Sequence, residues 1–235
     1  MAAATLKVLM ILTSQATMGA GGAPTGAWYE EVATPYYVLQ DAGVQVDIVS
    51  IKGGKAPIDP RSLKTAGQNP ASVERFQNDP ATLNKLNHTP AVSQASDKGY
   101  AAVFLPGGHG TMWDEADNPA LTKLVSQAWR DGKVVASVCH GAAGLIGTTD
   151  SNGKPIVQGR RVNSFTNAEE KGATVPYLLE TRLHELGAKY ESGPNFQPYA
   201  VQDGKLITGQ NPASSEKVAR LILNEIKKTG TLAVH

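Results

Sequence analysis

The chain has 235 residues, 41% hydrophobic and 18% charged, which is enough for one sizeable core in a single domain. Its 22 Lys and Arg against 21 Asp and Glu leave a net charge of +1, so bulk electrostatics give no reason to expect nucleic acid or a membrane surface as partner. No apolar run reaches the roughly 18 residues of a membrane span, and the one cysteine, Cys139, excludes an intramolecular disulfide and a multi-cysteine zinc site.

Leu6–Thr13 is apolar and predicts a buried first strand. It is too short, and lacks the following cleavage-type sequence, to be a secretory signal, so a cytoplasmic protein is expected. A Gly-rich loop, Gly19–Gly22, follows. A helix is then predicted from about Thr25 to Ala42, stopped at Gly43. Val44–Val49 alternates and predicts the second strand. Residues 52–99 are polar and proline-rich, with only short helical candidates such as the one opened by Asp79-Pro80. A stretch this long predicts a cap-like insertion over one edge of the sheet, within one domain spanning 1–235.

Ala101–Leu105 predicts a strand closed by Pro106-Gly107-Gly108. Asn118-Pro119 opens a helix whose apolar face is Leu121, Leu124, Val125, Ala128 and Trp129, ending at Gly132. Val134–Val138 predicts the next strand, and a short helix is expected after Gly141. Tyr177–Leu186 predicts a helix, and Asp203-Gly204 has the form of a hairpin turn between two short strands. Asn211-Pro212 opens a last helix with the stripe Val218, Leu221, Ile222 and Ile226. The alternation of strands and helices predicts an α/β fold with a mostly parallel sheet covered by helices.

The sharpest local feature is Val134-Val-Ala-Ser-Val-Cys-His-Gly141. A β-branched strand runs straight into Cys139, then His140, Gly141 and two alanines. Small residues allow a tight strained turn that lifts a nucleophile clear of the sheet. A helix N-terminus behind it would lower the thiol pKa and offer amides to an oxyanion. A buried structural cysteine is the bland alternative. The strand–Cys–His–Gly context favours the reactive one.

Leu105-Pro-Gly-Gly-His-Gly110 also ends a predicted strand, the edge at which open α/β sheets bind ligands. Gly107 and Gly108 would let a backbone amide point into a site, with His109 lining it. Neither nucleotide-binding glycine motif is present. Glu30 and Glu31 sit in the first turns of the first helix; adjacent residues cannot face the same way, so one could be solvated while the other points over the sheet edge. A carboxyl beside a thiol in a dry pocket would have a raised pKa and could act as acid or base. His88, His184 and His235 carry weak signals, and His184 reads as a helix-surface residue. No close-spaced ligand cluster appears, so a metal could be held only by long-range assembly. No metal and no organic cofactor are expected.

Gly107–Asp114, Val138-Cys-His-Gly141, Phe165–Glu170 and Thr208–Ser214 together resemble the ThiJ/PfpI superfamily, and within it the chaperone and glyoxalase III branch. Thr25-Gly through Pro35 is similar to that branch's first helix. The resemblance runs from about residue 7 to residue 225. It implies a flavodoxin-like three-layer sandwich with a nucleophile elbow, a small cap and a catalytic Cys–His–Glu group. Carried over, the nucleophile is Cys139, the histidine His140, and the glutamate Glu31, four residues before Pro35. The amides of Gly108 and His140 match the oxyanion donors, and Glu170 matches an acidic position near the site with no assigned role. A homodimer is also implied. The related class I glutamine amidotransferases use a late His-x-Glu pair, which this sequence lacks.

The expected activity is therefore that of a glutathione-independent glyoxalase, turning methylglyoxal or a similar 2-oxoaldehyde into a 2-hydroxy acid. The same residues would also serve another Cys-dependent hydrolase or hydratase of a small electrophile, such as an isonitrile or amide. A holding chaperone and a redox-sensing thiol are the remaining alternatives.

Overall fold

The computed structural model describes residues 5–232; His235 lies outside them. In chain order the strands are β1 (Lys7–Leu12), β2 (Gln45–Ser50), β3 (Ala102–Leu105), β4 (Val134–Val138), β5 (Arg161–Val162), β6 (Lys189–Tyr190), β7 (Ala200–Asp203) and β8 (Leu206–Gly209). The α-helices are α1 (Tyr29–Gln40), α2 (Ala71–Gln77), α3 (Pro80–Asn87), α4 (Thr111–Asp114), α5 (Pro119–Arg130), α6 (Leu179–Glu185) and α7 (Ser215–Leu232). Among the described residues no helix is long and apolar enough to cross a membrane.

The main sheet runs β2-β1-β3-β4-β8-β7. Its first five strands are parallel, with Lys7 opposite Gln45, Phe104 opposite Ala136 and Ser137 opposite Thr208. β7 closes the edge antiparallel to β8 through the Asp203-Gly204 turn, as its sequence predicts. β5 and β6 form a separate parallel pair.

Side chains alternate across the pleat, and both faces are covered. Val8, Met10 and Leu12 enter a core with Val32 and Tyr36 of α1 and Val218 and Ile222 of α7. Leu9 and Ile11 enter the opposite core with Leu121 and Val125 of α5 and Leu183 of α6. Each of these buried aliphatic side chains contributes about 1.5–3 kcal/mol relative to exposure. The result is the expected flavodoxin-like three-layer sandwich, whose ligand edge is the carboxyl end of the strands.

Residues 52–99 hold α2, α3 and two short 3-10 turns. Asp79 caps α3 through the Ala81 N–H. Phe76 of α2 is fully buried and meets Tyr29, Tyr36 and Tyr37 edge to face, docking the segment on α1. Nearer the site, Ala27 N–H donates to the Pro57 carbonyl and Asp59 N–H to the Ala27 carbonyl. That bridge corrects one expectation. α1 begins at Tyr29, not near Thr25, because residues 25–28 are extended and bonded to the insertion and to Gly107.

Other boundaries move for local reasons. The Asn211-Pro212 start opens a 3-10 turn over Pro212–Ser214, and α7 begins only at Ser215. The helix expected over Tyr177–Leu186 spans Leu179–Glu185. Behind the cysteine, the helical turn starts at Cys139 itself and is a 3-10 helix through Leu145.

Candidate active site

β4 delivers Cys139 to the carboxyl edge of the sheet with φ 59°, in the left-handed region. A side chain there is strained, so the surroundings must hold it. They do so by allowing no bulk nearby. A Cβ on Gly141 would lie 2.0 Å from the Leu105 carbonyl oxygen, and one on Gly108 would lie 2.1 Å from that of Gly26. The Thr111 hydroxyl faces the His140 and Gly108 carbonyls at 2.8 and 2.9 Å, tying the elbow to the β3 loop.

The cysteine has a carboxyl on one side and an imidazole on the other. Glu31, in the first turn of α1, is fully buried. Its Oε2 accepts the Gly107 N–H at 2.6 Å. Its Oε1 has no hydrogen-bond partner, and the Cys139 thiol is the carboxyl's other polar neighbour. Burial pushes the Glu31 carboxyl up to about 8, against partial relief from the Cys139 and Gly107 hydrogen bonds. Glu31 is therefore protonated at neutral pH. Burial, and then the Glu31 carboxyl, push the Cys139 thiol up as well. This overturns the expected helix-lowered thiol: a seven-residue 3-10 turn in a dry site does not outweigh desolvation.

On the other side, His140 Nδ1 lies 3.3 Å from the Cys139 sulfur. Its Nε2 is hydrogen-bonded to Glu170 Oε2, and His109 Nε2 lies 2.6 Å from Glu170 Oε1. Burial pushes Glu170 up, but the hydrogen bonds from the two imidazoles outweigh it and hold the carboxyl at about 2. Glu170 is thus an acceptor for two ring N–H groups. That fixes His140 with its proton on Nε2 and leaves Nδ1 to take a proton from the thiol, the logic of a nucleophile–base–orienter triad. Burial lowers the His140 pKa, opposed by Glu170.

Cys139 opens into a cavity of about 200 Å³ lined by Trp28, Arg61, His109, Phe165, Phe196 and Pro212, among others. Phe165 stacks on the His140 ring at 4.4 Å between centroids, and Phe196 meets Phe165 at 6.2 Å. Phe196 is 59% exposed and has φ 58°, so it stands at the rim in a strained conformation. Its N–H donates to the buried Glu169, which also accepts from the Gln210 and Asn211 side chains. The cavity suits a reactant of a few heavy atoms and is below the size of a nucleotide pocket.

The sequence profile of the DJ-1/PfpI family matches residues 25–225. The chain belongs to the DJ-1/PfpI family. It is 33% identical over 236 residues to the glutathione-independent glyoxalase HSP31 of Saccharomyces cerevisiae, covering 94% of this chain and 98% of the yeast protein. Among solved structures, the Rapid Encystment Protein 24 KDa of Francisella tularensis matches with a TM-score of 0.89 at 38% identity, over 94% of this chain and 99% of that one. Glyoxalase III of Candida albicans matches with a TM-score of 0.85 at 27% identity, over 94% and 97% of the two chains.

In this DJ-1/PfpI chain, Cys139, His140, Glu31, Gly107, Gly108, His109 and Glu170 meet within one site, and Glu31 rather than Glu30 turns inward. His184 is on a helix surface and His88 is exposed in the insertion, both outside it. Gly107 spends its amide on Glu31 and so has none to offer a reactant. Arg61, Asp59 and Phe196 are new. Arg61 and Asp59 lie in a polar insertion where one more ion pair carries no signal, and Phe196 sits alone in a Gly/Pro-rich loop. His109, His140 and Glu170 are the one metal-capable cluster among the described residues. The 2.6 Å spacing of His109 and Glu170 is that of a shared proton, shorter than two bonds of about 2.0–2.2 Å to an intervening ion would leave.

Proposed function

We propose that this protein is a glutathione-independent glyoxalase that converts methylglyoxal or a similar 2-oxoaldehyde to the 2-hydroxy acid. The observation that carries the reading is a strained cysteine flanked by a protonated carboxyl, Glu31, and an oriented imidazole, His140, in a small dry pocket.

Cys139 gives its proton to His140 Nδ1 as the sulfur attacks the aldehyde carbon. The oxyanion forms between the amides of Gly108 and His140 and takes the Glu31 proton to become a hemithioacetal, leaving Glu31 ionised. The C–H beside the sulfur is then acidified by the neighbouring ketone. The ionised Glu31 removes that proton while His140 passes the thiol's proton to the ketone oxygen, forming an enediol. Glu31 then delivers a proton to the adjacent carbon and takes the hydroxyl proton of the sulfur-bearing carbon. One carbon is oxidised and the other reduced, so no external redox partner is required. The product is a thioester on Cys139. Water cleaves it with His140 as base, releasing the 2-hydroxy acid and the thiol.

Residues 52–99 act as a cap in this reading, since they place Arg61 on the cavity wall. A homodimer belongs to the same reading, and light scattering measures it. A redox-sensing role is disfavoured, because a thiol pushed up by burial offers little thiolate to peroxide.

The test is lactate formation from methylglyoxal without glutathione. Wild type should turn over, and Cys139→Ala should be inactive. A Cys139→Ala protein at full rate sinks the mechanism. An inactive wild type directs the search to other small electrophiles for the same nucleophile.

A further inference from the structure

Arg61 is held in one conformation by a carboxylate that has no other freedom. Asp59 is fully buried and accepts the Arg61 backbone N–H at 2.9 Å and the Thr25 hydroxyl at 2.8 Å. Its two oxygens also take the Arg61 fork, Nε at 3.0 Å and Nη2 at 2.6 Å. A bidentate pair of this kind fixes the guanidinium plane as well as its position. So aimed, Arg61 Nη2 lies 3.1 Å from His109 Nδ1.

A guanidinium has five donors and no acceptor. His109 Nδ1 must therefore accept, and the ring proton must sit on Nε2. That nitrogen faces Glu170 Oε1, whose partner oxygen faces His140. The other tautomer would set two donors against each other at Nδ1 and two lone pairs at Glu170. The groups around His109 are Arg61 from the insertion, Glu170 and Phe165 from the segment after β5, and the His140 ring at 4.1 Å between centroids.

We propose that Arg61 is a positioning residue that selects the Nε2–H tautomer of His109, so that His109 anchors Glu170 and Glu170 orients the base, His140. The insertion thereby acts on the nucleophile through four side chains without touching it. The kinetic part of this assignment rests on the glyoxalase reading; the tautomer does not.

Two readouts test it. In the full-length protein labelled with 15N-histidine, without substrate, His109 Nδ1 should show the shift of a proton-free acceptor near neutral pH. In Arg61→Met it should lose that single form. A proton on Nδ1 of wild-type His109, or an unchanged tautomer in Arg61→Met, overturns the proposal. The second readout is steady-state turnover of methylglyoxal. Arg61→Met should lose about tenfold in kcat, the lower range for groups that orient a ligand or base, with little change in KM. Arg61→Lys keeps a donor on Nδ1 and should recover part of the loss. A raised KM at constant kcat would make Arg61 a substrate-binding residue and overturn the assignment. If wild type does not turn methylglyoxal over, the glyoxalase reading fails while the tautomer spectra still decide the role of Arg61.

Discussion

Glu31 and Gly107 are separated by 76 residues of sequence and joined by a 2.6 Å hydrogen bond. The bond sets the α1 carboxyl against the loop after β3, with its second oxygen free for Cys139. Structure and chemistry can be separated at this position.

Glu31→Gln keeps an acceptor for the Gly107 N–H and removes the ionisable proton. It should fold at least as stably as wild type near neutral pH and lose about 10²–10⁴ in kcat, the usual weight of a general acid–base group. Glu31→Ala should lose activity and also about 1–3 kcal/mol of stability, because the buried Gly107 N–H is left unpaired. Steady-state kinetics and urea melts on the two variants check both parts.

Stability should depend on pH through two carboxyls of opposite sign. Glu31 is raised from 4.5 to about 8 in the fold, so its contribution is complete below about 4.5 and lost as pH rises through about 8. Glu170 is lowered from 4.5 to about 2, so its contribution is complete above about 4.5 and lost as pH falls through about 2. Between pH 5 and pH 8.5 or so, wild type should lose urea resistance that Glu31→Gln retains. Equal losses in both proteins would place the titration elsewhere.

Gly141→Ala should be severely destabilised. Its Cβ would lie 2.0 Å from the Leu105 carbonyl oxygen, and backbone cannot swing aside as a side chain can. A loss of about 4 kcal/mol or more, or insoluble expression, is expected. Gly153→Ala serves as the control for φ alone: it has positive φ and open space around it, so about 1–2 kcal/mol is expected. Thermal melts rank the two.

Phe196→Gly should separate the cavity rim from the fold. The phenylalanine is at φ 58° and largely exposed, so glycine removes backbone strain and little buried area. The melting temperature should hold or rise. The Phe165 face should open, and KM for methylglyoxal should increase. A large drop in melting temperature would instead make Phe196 a core residue.

The layers and the elbow were legible because their causes are local. β1 after Lys7, and β4 apart from Ser137, are apolar runs that read as buried parallel strands. Asn118-Pro119 opens α5 by capping chemistry that acts within one turn. Cys139 announced itself by the small residues behind it. The link between His109 and Glu170 was not legible, since 61 residues separate them and either could have been a surface group. Nor was the protonation state of the thiol. It is set by how completely the folded chain removes water, and the motif read alone points the other way.

The site draws on residues 28–31, 59–61, 107–109, 139–140, 165–170 and 196–212. Those segments meet only after the crossovers of the parallel sheet have closed, the slow class of event in chain folding. Helices α5 and α7 can form from neighbours in sequence, but Cys139 has no environment until distant strands pair. Recovery of turnover after dilution from denaturant should therefore lag behind recovery of the far-ultraviolet helix signal, and turnover reports the last step by which this chain becomes native.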